Sequence, residues 1–283
     1  MNGAAARLVD GAVSVATPPL VYDRLVQVIN HPRSGSVDIA NVITEDQGLT
    51  GRLLKVVNSA FFSFPRPVED VTQAVTVVGT GQIRDLALAT SVMSMFKDVP
   101  AELVDLESFW FHSLACGVTA RAIAARRGED NVERFFVAGI LHDIGHLITY
   151  MVAGEQAREA ILLSRESGRP LHECEREVME VDHTQVGKAL LDKWNFPGAF
   201  REGVAFHHQP ARATRFPVEA AAVHVAEVTA HGMEWGNSGE RMVPPFDPAA
   251  WETLGLEAEA VPFLLGDAER QLEAAVHFMG AAA

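Results

Sequence analysis

Cysteine, aromatic residues and positive charge are all scarce in this chain, and each shortage excludes something. Cysteine occurs twice in 283 residues, as Cys116 and Cys174, with no CxxC pair. That indicates neither a disulfide framework nor a cysteine zinc site and fits a reducing compartment. Aromatics are 7% of the residues while alanine is plentiful, a balance that favours helices over a β-sandwich. Lys and Arg number 23 against 37 Asp and Glu, a formal net charge of −14. A surface this acidic repels phosphate backbones, and no local basic patch offsets it, so direct nucleic-acid binding is not expected. A clean apolar run is also missing. The longest, Phe135 to Gly154, is interrupted by His142, Asp143 and His146, which a lipid-facing helix would hold only at high cost. The first twenty residues contain Arg7 and Asp10 and do not read as a signal peptide. The expectation is a cytoplasmic protein with no membrane segment.

What is present is helical periodicity. Apolar residues recur three and four apart through Leu20, Leu25, Val28 and Ile29, through Ile39, Val42 and Ile43, and through Leu49, Leu53, Leu54, Val57 and Phe61. Pro65 and Pro67 end the last of these. Two further helices, Val68 to Val78 and Ile83 to Phe96, flank Gly79-Thr80-Gly81, and because that glycine pair follows a helix the pattern argues against a phosphate-cradling loop. Lys97 to Asp105 is the best candidate for an internal boundary. Beyond it the spacing predicts helices over Phe109–Arg127, Glu133–Val152, Glu155–Ser167 and Asp182–Trp194, with Asp182 as N-cap and Pro197 as terminator. Gly232 to Pro248 reads as a loop, and Asp247-Pro248 as the start of a C-terminal helix.

Ten of the eleven histidines follow residue 105. The most informative string is Leu141-His142-Asp143-Ile144-Gly145, because an ionised Asp in an apolar helix needs a metal, a cation or several hydrogen bonds to compensate it. His112, His183, His207, His208 and Glu227 lie on other helices or their ends, and imidazole plus carboxylate is a ligand set for Zn, Mn or Fe. Each also has an ordinary reading. His112 can be a hydrogen-bonded core residue, His183 can stabilise a helix end, His207-His208 can be a surface turn before Pro210, and Glu227 can be solvated. His142 and Asp143 on one continuous helix would point about 100° apart, so a shared metal needs an end-on approach or two metals between them.

In this order the residues resemble the HD superfamily of helical metal-dependent phosphohydrolases, and more closely the HDOD family of bacterial signalling proteins. The supporting strings are Glu45-Asp46-Gln47-Gly48-Leu49-Thr50 running into Leu54 to Phe62, then Ala74-Val75-Thr76-Val77-Val78-Gly79, Phe109-Trp110-Phe111-His112-Ser113, Ala138 to Gly145, His183-Thr184-Gln185-Val186-Gly187 and Trp194-Asn195-Phe196-Pro197. The resemblance implies an all-α fold: an N-terminal helical subdomain over 1–100, an HD-like helical core over 101–231, and a C-terminal loop and helical extension over 232–283. It implies a regulatory role without catalysis, exerted on a protein partner or through a nucleotide ligand; the segment Asn58 to Phe62 reads equally as one contact region of that surface or as a helix C-terminus with buried aromatics. Carried across from the related HD-GYP phosphodiesterases, the ligand positions fall on His112, His142, Asp143, His183, His207, His208 and Glu227, for one or two ions of Fe, Mn or Zn. Three departures separate the chain from that branch. His146 stands where those enzymes have a lysine, no Gly-Tyr-Pro segment follows Gln209-Pro210, and Glu227 replaces an aspartate. The rival expectation is a metal-dependent phosphohydrolase acting on a nucleotide or cyclic dinucleotide.

Overall fold

The structure is a computed structural model and describes residues 3–15, 17, 20–31, 33–58, 62, 64–96 and 98–279. Among these residues there are α-helices, three short 3-10 turns and no strand. In chain order the first six helices are α1 (Gly3–Gly11), α2 (Leu20–Ile29), α3 (Ser36–Thr44), α4 (Gln47–Val57), α5 (Val71–Val78) and α6 (Thr80–Met93). Then follow α7 (Leu106–Arg127), α8 (Glu133–Leu141), α9 (Ile144–Val152), α10 (Gly154–Ser167) and α11 (Leu171–Met179). The last five are α12 (His183–Lys193), α13 (Gly198–Phe206), α14 (Pro217–Gly232), α15 (Pro248–Leu254) and α16 (Val261–Met279). Aspartates open many of them: Asp46, Asp70, Asp105, Asp182 and Asp247 each accept a backbone N–H of the first turn.

The chain forms two compact units, residues 17–95 with 269–283, and residues 1–16 with 96–268. Both are assembled from separate stretches of chain. In the smaller unit α3 packs on α5 and α2, while α6 packs on α2 and α4. Asn58, the C-cap of α4, donates from its amide to the Val68 carbonyl at 2.8 Å and accepts the Val68 N–H at 2.6 Å. Asn58 thus has a structural task, and Ser59, Ala60 and Phe61 of the expected contact region lie outside the described residues.

In the larger unit α7 and α8 lie side by side, with α14 against both, α9 on α12, and α12 on α13. The buried side chains there include Phe109, Phe135, Leu141, Ile144, Leu147, Trp194, Phe196 and Phe200. Glycine sets two of the closest approaches. A β-carbon at Gly139 would lie 2.7 Å from Gly117 Cα, so only glycines let α8 press this hard on α7. A β-carbon at Gly145 would collide with the His183 carbonyl and come within 2.7 Å of Gly187 N, so α9 touches the first turn of α12 backbone to backbone.

Three expectations need correction. The 20-residue helix over Glu133–Val152 is two helices, because the chain turns at His142-Asp143; most of the segment is buried in the protein's own core. Pro197 ends one helix and also precedes the next, α13, which was not expected from its glycines and short length. The C-terminal helix is likewise two, α15 ending at Gly255 in a left-handed conformation and α16 following.

Candidate metal centre

The break between α8 and α9 creates the site. Asp143 occupies the N-cap position of α9, where aspartate ordinarily accepts a backbone N–H, yet it makes no such bond. Its carboxylate is 2% exposed and faces histidines from other helices. Oδ2 lies 3.2 Å from His142 Nε2 and 3.8 Å from His112 Nε2. Oδ1 lies 3.4 Å from His183 Nε2 and 3.9 Å from both His207 Nε2 and His146 Nε2. The turn therefore removes the orientation problem of adjacent residues on one helix, since His142 and Asp143 meet at the helix junction.

The expected residues converge. His183 Nε2 is 3.3 Å from His207 Nε2 and 3.1 Å from His208 Nε2. Glu227 Oε2 is 3.6 Å from His208 Nδ1 and 3.9 Å from His207 Nε2. His112, His142, Asp143, His183, His207, His208 and Glu227 thus share one buried cluster in the larger unit. The surface-turn reading of His207-His208 and the solvated reading of Glu227 do not hold, because both regions are buried.

The outer sides of the rings show how the cluster is held. Nδ1 of His142 donates to the Gly139 carbonyl at 2.7 Å, Nδ1 of His207 to the Val204 carbonyl at 2.9 Å, and Nδ1 of His112 to the Trp235 carbonyl at 3.2 Å. Nδ1 of His183 meets Glu175 Oε2 at 2.7 Å, and the same carboxylate oxygen accepts the His183 backbone N–H. In neutral imidazoles these bonds place the proton on Nδ1 and turn the Nε2 lone pairs inward. Buried acceptors then face buried acceptors, and His142 Nε2, Asp143 Oδ1, His208 Nδ1 and Glu227 Oε2 have no hydrogen-bond partner. Such a set is repulsive until a cation lies among it, so the residues present fit a metal ion.

Electrostatics agree. Burial, followed by neighbouring histidines, holds His112, His207 and His208 well below the usual imidazole range, so they are neutral donors. Burial opposes ionisation of Asp143, and positive charge beside it, on His142, His146 and His183 when they are protonated, holds the carboxyl well below its usual range; with those rings neutral, a cation among them would take that part. Glu227 goes the other way, pushed up by burial and by Asp143.

Sequence reasoning missed four neighbours. Glu175, on the unexpected α11, clamps His183 and also lies 2.9 Å from His146 Nδ1. Against the cost of burial, that carboxylate raises His146 to about 9. His231 lies tilted against His112 at 4.5 Å between centroids, and His172 stacks on His208 at 4.0 Å. Cys116 Sγ lies 3.6 Å from His112 Nε2. His231 follows Glu227 by four residues and Cys116 follows His112 by four, a helical spacing that could have flagged both. His224, by contrast, is structural: its Nδ1 donates to the His207 carbonyl at 2.6 Å and its Nε2 accepts the Asp247 N–H at 2.8 Å.

The HDOD domain family model matches residues 15–210. The chain belongs to the HDOD family. It is similar in fold to an HDOD domain protein of unknown function from Geobacter sulfurreducens, at 22% identity and a TM-score of 0.77, covering 98% of this chain and 96% of that one. A Shewanella amazonensis protein named as a candidate phosphohydrolase matches at 23% identity and a TM-score of 0.73, over 99% and 97% of the two chains. A Marinobacter aquaeolei protein named for signal transduction matches at 20% identity and a TM-score of 0.72, over 94% and 60%. An uncharacterised Treponema pallidum protein is 25% identical over 205 residues, and the chain spans 39% of that relative's length.

Proposed function

We propose that this HDOD chain is a non-enzymatic regulatory module with a divalent transition-metal centre in its larger unit, signalling through contacts with a protein partner or a nucleotide ligand in the cytoplasm. The observation that carries the metal is the convergence of imidazole nitrogens and carboxylate oxygens in a buried space, with His112, His142, His183 and His207 each tied at Nδ1 so that Nε2 faces inward. His112, His142, Asp143, His183, His207, His208 and Glu227 are the proposed ligands. Asp143, with one oxygen toward His112 and His142 and the other toward His183 and His207, would serve both ends of the cluster as a carboxylate ligand. A bound Zn, Fe or Mn would supply Lewis acidity and a fixed positive charge.

A regulatory rather than hydrolytic role is supported by His146. Its charge is consumed by Glu175 and its ring stacks on His183 at 3.8 Å between centroids, so it offers nothing to a phosphate. The acidic surface and the absence of a Gly-Tyr-Pro segment point the same way, and the free, buried thiols fit a reducing cytoplasm.

One observation favours a phosphohydrolase as the second reading. A cavity of about 320 Å³ reaches His208 and is lined by Arg176, Lys188 and Arg212. Its cations are partly engaged already, Arg176 with Asp182 at 2.6 Å and Lys188 with Asp192 at 2.5 Å. Incubation of metal-replete protein with cyclic di-GMP and a generic phosphodiester separates the readings. Retained metal with no turnover supports the regulatory module; turnover abolished by His142→Ala establishes the enzyme.

A further inference from the structure

We infer that Cys116 is an additional ligand of this centre, giving it one sulfur donor and a softer corner at the His112 end. The inference rests on the metal reading above. Cys116 lies on α7 one turn after His112, with its side chain fully buried. Its Sγ is 3.6 Å from His112 Nε2. A tetrahedral zinc with Zn–S near 2.3 Å and Zn–N near 2.0 to 2.1 Å places sulfur and nitrogen about 3.6 Å apart, so the pair already spans one edge of such a site. His142 completes a triangle, since ligand atoms of His112, Cys116 and His142 all lie within 4.8 Å of one another. The second observation that points to a ligand is His142 Nε2, the third corner of this triangle, fully buried and without a hydrogen-bond partner.

The opposite end of the cluster has different chemistry. His183, His207 and His208 form an all-nitrogen triad, within the same 4.8 Å limit. Asp143 lies between the two triads. The His112 end therefore presents N, N and S donors and the His183 end N donors, each supplemented by carboxylate oxygen. Thiolate favours zinc and other soft ions over manganese. Coordination at Cys116 replaces the S–H bond by a metal–sulfur bond and releases the proton to solvent. His112 Nδ1 is bound to the Trp235 carbonyl, so its Nε2 lone pair faces the thiol and the metal position.

The test uses full-length protein stripped of metal and titrated with Co(II), with equilibrium dialysis to count bound ions. The wild type and Cys174→Ala should both show the intense near-ultraviolet sulfur-to-cobalt charge-transfer band. Cys116→Ser should lose the band and bind zinc at least about tenfold more weakly. Because Cys116 is buried and its replacement can impair folding, zinc X-ray absorption on the wild type is the second measurement, with a sulfur scatterer expected at about 2.3 Å. Stoichiometric cobalt without the band, or a zinc shell of only nitrogen and oxygen, overturns the cysteine ligand and leaves the metal centre standing. A wild type that binds no cobalt or zinc overturns both.

Discussion

At the scale of single residues, Glu175 shows how much of this centre is held from behind. It binds both the backbone and Nδ1 of His183 and pairs with His146. Groups that orient a ligating imidazole typically matter by 10–100-fold in metal affinity. Glu175→Gln is expected to keep the helical fold and weaken metal binding by about that factor, read in a competition titration against a chromophoric chelator; unchanged affinity would remove Glu175 from the account. The seven convergent residues were legible because histidine and carboxylate stand out in apolar helices. Glu175 was not, because α11 is short and charged, and nothing in Glu173 to Glu177 distinguishes the one carboxylate that turns inward. Cys116 was set aside for lack of a cysteine partner, although its partner is a histidine one turn away.

At the scale of elements, the site depends on where helices stop and how closely they pack. A continuous helix was expected through the His-Asp pair, and the periodicity of Glu133 to Val152 does support one. The turn arises from tertiary demands that sequence spacing does not show: Asp143 gives its carboxylate to the histidines instead of capping α9. Gly139 and Gly117 then let α8 and α7 approach, placing His142 beside His112. Gly139→Ala forces the two helices apart and is expected to cost about 1–3 kcal/mol. For a chain of this size that lowers Tm by several degrees, at roughly 2–4 °C per kcal/mol. Metal affinity should fall with it; thermal melting and metal titration of the variant check both, and an unchanged Tm would contradict the packing argument.

At the scale of the molecule, the acid response of the metal-free protein follows from its buried imidazoles. His172 and His231 are held at about 4, chiefly by burial. A base held below its unfolded value of about 6.5 binds fewer protons folded than unfolded, so stability falls as pH drops from about 6.5 to about 4. His146, raised to about 9 against the cost of burial by Glu175, acts in the opposite sense. Its contribution is full below about 6.5 and is lost as pH rises through about 9. Chelator-treated protein should therefore lose denaturant stability on both sides of neutrality, steeply on the acid side; a flat profile between pH 4 and 6.5 would contradict the burial of these rings. The net charge of −14 gives a further expectation, no retention of duplex DNA at physiological salt in a gel-shift assay. The helical class of the whole chain was readable from composition and periodicity. The assembly of each unit from separated segments was not, because residues 1–16 join the larger unit through packing of α1 on α12 and α9, which local pattern does not encode.

The central claim is that the His-Asp cluster holds metal, and elemental analysis of protein purified without chelator tests it most directly. Stoichiometric Zn, Fe or Mn in the wild type, lost in His142→Ala and His207→Ala while circular dichroism stays helical, is the predicted result. A wild type with no transition metal after equilibration, or folded variants that keep it in full, would contradict the account.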